Sequence, residues 1–128
     1  MPFWEKRLNS TDKLDDAFTE YEKSYDVGHD YRGLMMMAHV YGLKGERAKA
    51  LQLFEQAKQL SSPDIWAYGC AMVYIGLGDK NETLNWLEQS YRQKEFINLS
   101  TIKWDPLFDS LRGDPRFEKL VSQILPQA

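Results

Sequence analysis

The chain has 128 residues, of which 43% are hydrophobic, 27% charged and 13% aromatic, with one cysteine and a formal net charge of -3. That composition describes one ordinary domain whose core needs neither disulfides nor metal, and it excludes collagen, low-complexity disorder and cysteine-rich secreted scaffolds. An acidic balance without clustered Lys and Arg is a poor footprint for nucleic acid, so no nucleic-acid partner is expected for this segment.

The first residues, Met1-Pro2-Phe3-Trp4-Glu5-Lys6-Arg7, lack the basic, apolar, small-residue order of a secretory signal. No run approaches the ~18 apolar residues of a membrane span. A cytoplasmic protein without a membrane partner is the expectation. Residues 1–33 carry five basic and eight acidic groups, whereas residues 34–128 carry eleven of each, so the negative surplus belongs to the first helical region. Its acids include Asp12, Asp15, Asp16, Glu20 and Glu22.

Further along, Leu34, Met37, Ala38 and Tyr41 recur at spacings of three and four, which places them on one helical face. Ala50, Leu51, Phe54 and Ala57 do the same in a second helix. Between them, Gly45 can take the left-handed conformation that ends a helix, and Glu46 follows as a candidate cap. Ser62-Pro63 reads as a hydroxyl cap with proline in the first turn of another helix. Gly78-Asp79 then repeats the stop and start, with Asp79 and Glu82 at capping-box spacing.

The two segments are copies of one unit. Placing residues 34–46 over 67–79 brings Ala38 onto Ala71, Val40 onto Val73, Tyr41 onto Tyr74 and Gly45 onto Gly78, an offset of 33 throughout. Downstream, Ala50-Leu51 meets Thr83-Leu84, Phe54 meets Leu87 and Ala57 meets Ser90; upstream by the same offset lie Ala17, Tyr21 and Ser24. Small residues allow close helix approach, with Tyr41, Phe54, Tyr74 and Leu87 filling the space between hairpins. A lone hairpin cannot hide both its faces, so stacking and terminal caps are required. The predicted fold is all-α: a single domain with a degraded first repeat at 10–30, repeats at 31–63 and 64–95, and terminal capping helices at 96–128.

In the tail, Asp105-Pro106 and Asp114-Pro115 each read as an N-cap followed by a first-turn proline. Two short helices follow, whose Phe108, Leu111, Phe117, Leu120, Val121 and Leu125 can cover the last hairpin.

This arrangement of residues resembles the tetratricopeptide repeat family. The pattern is met by Leu34, Met37, Ala38, Tyr41, Ala50, Phe54, Ala57 and Pro63, and again by Ala67, Cys70, Ala71, Tyr74, Thr83, Leu87 and Ser90. The departures are Leu34 or Ala67 in place of the leading Trp, a period of 33 rather than 34, and a proline one residue late. The segments around Trp86-Leu87-Glu88-Gln89, Trp104-Asp105-Pro106-Leu107-Phe108 and Asp114-Pro115-Arg116-Phe117 look like the closing part of such arrays in bacterial signalling and transcriptional regulators. The resemblance implies a right-handed superhelical array and a scaffold that binds a peptide or amphipathic helix of another protein, in a regulatory role. It also implies a concave groove of Arg32, Met35, His39 and Leu43 from one hairpin and Ile65, Tyr68, Met72 and Ile75 from the next. With Met, Tyr, Ile and Leu dominating, an apolar ligand is expected, and Tyr68→Glu should abolish its capture. Cover by the N-terminal Phe3, Trp4 and Leu8 is the other reading of that surface. Self-association through an exposed hairpin face is the alternative function.

No constellation for catalysis is evident. Cys70 lies in an apolar run without an activating partner, and His29 and His39 lack further ligands at metal spacing. No enzymatic activity, cofactor or metal is expected.

Overall fold

A computed structural model describes residues 10–28, 30–61 and 65–124. The described chain is helical: α1 (Ser10–Gly28), α2 (Tyr31–Leu43), α3 (Arg47–Leu60), α4 (Ala67–Leu77), α5 (Lys80–Arg92), α6 (Phe96–Leu99), a 3₁₀ turn (Pro106–Leu111) and α7 (Pro115–Ile124). There is no strand among the described residues. The expected opening at Ser62-Pro63, the cover by Phe3, Trp4 and Leu8, and Leu125 lie outside them.

The helix ends follow from local chemistry. Asp30 opens α2 by accepting the Arg32 amide at 2.9 Å. Gly45 ends it at φ +82°, letting the Glu46 amide reach back to the Tyr41 carbonyl at 2.9 Å. The same turn recurs 33 residues on, where Gly78 has φ +80° and the Asp79 amide reaches the Tyr74 carbonyl at 3.0 Å. A third version closes α5, with the Glu95 amide on the Ser90 carbonyl at 3.0 Å and Lys94 at φ +62° in the left-handed position. These are backbone closures of the six-to-one kind.

The two acids that follow the turn glycines Gly45 and Gly78 differ as caps of the next helix. Asp79 caps α5, accepting from the Glu82 amide at 3.1 Å. The expected cap at Glu46 does not form: its side chain makes no cap bond and turns instead to Lys49 at 3.4 Å. Both tail caps form, with Asp105 accepting from Leu107 at 3.0 Å and Asp114 from Arg116 at 2.8 Å.

Helix α2 packs on α1, α3 and α4, and α4 packs in turn on α5. One core joins Leu34, Met35, Met37, Ala38, Phe54, Ala57, Cys70 and Val73, all buried, with Phe18, Tyr21 and Tyr25 of α1 against it. A second core joins Tyr68, Met72, Ile75, Leu84 and Leu87 to Leu99, Ile102, Phe108, Leu111, Phe117 and Leu120. Helix α4 lies between the two, so its apolar residues face both ways instead of forming one stripe. Phe54 meets Tyr74 edge-on at 5.5 Å between ring centres, and Phe18 meets Tyr41 at 4.9 Å.

Glycines stand where two of the helices approach closely. A Cβ built on Gly76 would stand 2.7 Å from the His39 carbonyl oxygen, and one on Gly42 would stand 2.9 Å from the Gly76 carbonyl carbon. These positions let α2 and α4 touch backbone to backbone.

Candidate functional site

The eight groove residues do not form one open surface. Met35 is fully buried, and His39, Tyr68, Met72 and Ile75 are also buried. Arg32 is exposed but engaged, its guanidinium forking onto the Asp30 carboxylate at 2.7–3.1 Å. That contact holds the Asp30 carboxyl below its ordinary range and raises Arg32. Ile65 is half-buried, its carbonyl accepting from Gln93 at 3.1 Å, and Leu43 is exposed.

What covers the second hairpin is the chain's own tail. Phe108, fully buried, sits against Tyr68 with ring centres 6.4 Å apart and stacks on Phe117 at 6.3 Å. Asp105, one turn before, is near enough for its carboxylate to act on both Tyr68 and His39. Burial first, then that carboxylate, pushes the Tyr68 hydroxyl up to about 12. Arg112 fixes the bend by donating to the carbonyls of Lys103 at 2.6 Å and Asp105 at 2.9 Å. Tyr68→Glu therefore puts a carboxylate into a packed core, where its first effect is on folding rather than on capture of a partner.

His39 is a structural histidine. Its Nδ1 lies 2.7 Å from the Met72 carbonyl oxygen, which can only accept, so Nδ1 carries the proton. Burial lowers its pKa, against the opposing pull of that carbonyl. Cys70 is fully buried, and burial pushes its thiol up to about 12, away from the thiolate a nucleophile requires. Among the described residues no three His, Cys, Asp or Glu side chains gather in a way that could hold a metal ion, and no helix is long and apolar enough to cross a membrane.

Two polar arrangements escaped the sequence reading. Trp66, which precedes α4, offers no side-chain cap; Glu95, from beyond α5, supplies one. Its carboxylate accepts from the amides of Tyr68 at 2.8 Å and Ala67 at 3.1 Å, and from the Ser90 hydroxyl at 2.7 Å. Gln93 donates to the same carboxylate at 2.9 Å. Trp66 is tied down besides, its indole N–H donating to Asn98 at 3.0 Å and its amide to the Tyr31 hydroxyl at 3.0 Å.

The second arrangement is a cleft of about 400 Å³ between α5 and α7, lined by Glu88, Tyr91, Arg92, Arg116, Lys119, Leu120 and Gln123. Arg116 bonds down one face of α5, to Asn81 at 2.9 Å, Asn85 at 2.6 Å and Glu88 at 2.8 Å. It holds the Glu88 carboxyl below its ordinary range, with Arg92 and Lys119 adding to the pull. Nothing local marks this cleft: in the sequence Arg116 simply follows a capping acid and a first-turn proline.

No family model, curated protein or solved structure gives a significant match to this chain.

Proposed function

We propose that the chain is a protein-interaction scaffold of the tetratricopeptide kind, binding a peptide or helix of another protein. Its resemblance to the closing arrays of bacterial regulators suggests a regulatory role. The observation that supports this best is the coupling of successive hairpins at corresponding positions. The Gly45 and Gly78 turns are alike, and His39 bonds the carbonyl found 33 residues on. Stacking of that kind fixes a surface before any partner arrives, which lowers the ordering cost of binding. The tail fills the space beside Tyr68 and Met72, so in this reading a partner meets the outer surface, where Leu43, Leu51 and Leu60 are exposed.

The test is a screen of the intact chain against arrayed extended and amphipathic peptides, followed by hydrogen exchange with each hit. Saturable one-to-one binding with added protection in α2 or α3 supports the reading. An array without saturable binding, from a chain that remains folded, defeats it.

The self-association reading is favoured by a separate observation: exposed acids on α1 at one end of the helix stack, and the cations Arg92 and Lys119 in the α5–α7 cleft at the other.

A further inference from the structure

Helix α1 carries an acidic stripe. Asp15, Glu22 and Asp26 are exposed and separated by seven and four residues, which puts all three within a narrow arc of the helix. Asp15 is matched by Lys44 at 2.7 Å. Glu22 and Asp26 make no ion pair with any described residue. The α5–α7 cleft has the converse balance. Of its cations, Arg116 is matched by Glu88; Arg92 bonds the neutral Gln89, at 2.7 Å, and neither Arg92 nor Lys119 makes an ion pair with any described residue. Among the described residues each surface thus leaves two charges without an ion pair, of opposite sign.

The two surfaces cannot meet within one molecule. Helix α1 packs on α2, and α7 packs on α5, with α4 between, so they lie at opposite ends of the stack. We infer that the α5–α7 cleft is a docking site for a second copy of this chain, which inserts the Glu22–Asp26 stripe of its α1 opposite Arg92 and Lys119. The inference rests on the self-association reading and names its two surfaces. Tyr91 supplies a half-buried aromatic wall and Gln123 an amide beside the incoming carboxylates. Because the surfaces differ, the contact is head-to-tail and repeats, generating a chain of subunits instead of a closed pair.

The experiment is sedimentation velocity of the full chain over a wide concentration range, at about 0.01 M and about 0.15 M salt, where the screening length drops from about 30 Å to about 8 Å. The expected result is a sedimentation coefficient that rises with concentration at low salt and much less at the higher. Lys119→Glu and Glu22→Lys alter exposed side chains and are each expected to weaken association at least about tenfold by setting like charges together. An equimolar mixture of the two variants regains association, because each then meets its opposite; a purely structural defect would not be repaired by mixing.

A concentration-independent monomer at low salt overturns the inference. So does association that the single variants leave unchanged. A monomer that binds a hexaglutamate peptide, and loses that binding in Lys119→Glu, would also overturn it by assigning the cleft to a separate acidic ligand. None of these outcomes touches the peptide screen, so the scaffold reading for a distinct partner stands or falls on its own measurement.

Discussion

The Nδ1 of His39 and the carbonyl oxygen of Met72 are 2.7 Å apart and 33 residues apart in sequence, so one repeat grips the corresponding position of the next. The neutral ring is what the buried site accepts, burial being the main cause of its lowered pKa. In the unfolded chain the ring titrates near the ordinary histidine value. The unfolded state therefore binds more protons than the folded one between the two pKa values, and stability falls as pH drops through about 6.5 toward the folded value. Urea unfolding of the wild type between about pH 7.5 and 5 should show this loss. His39→Leu should be less stable at neutral pH, with a shallower decline on acidification; an unchanged slope would remove His39 as the cause.

Glu95→Ala should destabilise by about 2 kcal/mol, since it frees the Ala67 and Tyr68 amides and the Ser90 hydroxyl together. Glu46→Ala, at an acid that caps nothing, should cost under about 0.5 kcal/mol. Denaturant midpoints of the two variants, at equal slope, check the contrast.

Gly76→Ala should cost about 2 kcal/mol or more, because the added methyl meets backbone that cannot rotate away. Gly45→Ala meets open space and carries only the strain of a left-handed alanine, about 1 kcal/mol. Thermal unfolding that ranks the two in the opposite order would contradict the backbone contact between α2 and α4.

Phe108→Ala should cost about 3–5 kcal/mol as a core truncation. Hydrogen exchange should then speed in α4 and α5 as well as in the tail, because Phe108 shares its core with Tyr68, Met72 and Leu87. Faster exchange restricted to the 3₁₀ turn would mark the tail as a detachable flap.

Cys70 should react with a disulfide reagent at a rate set by protein opening, since the thiol is both buried and held protonated. Adding denaturant below the unfolding transition should raise that rate; immediate reaction in buffer would contradict the burial.

The helices and their stops were legible because they depend on near neighbours. The Tyr41 and Tyr74 faces, the Gly45 and Gly78 turns and the caps at Asp79, Asp105 and Asp114 all involve residues a few positions apart. The failures concern distance along the chain. Glu95 gives no local sign of serving Ala67 and Tyr68, and Gly42 and Gly76 carry no side chain whose spacing could announce a close contact. Tyr68, Met72 and Ile75, expected to line an open groove, have an apolar character that suits a waiting surface and a packed one alike; here they share a core with Phe108 and Leu111. Glu46 failed as a cap for a local reason: its backbone, at φ -93° and ψ 69°, leaves the extended conformation usual for capping residues, and its carboxylate finds Lys49 instead.

The reach of Glu95 back to α4 also sets a direction for biogenesis. A nascent polypeptide that has only just emerged through Arg92 already contains both helices of its second hairpin, yet the opening amides of α4 still lack their acceptor. Synthesis of three further residues delivers it, so the opening amides of α4 gain their acceptor only after the trailing helix is complete, and translation order sets when that end of α4 is closed.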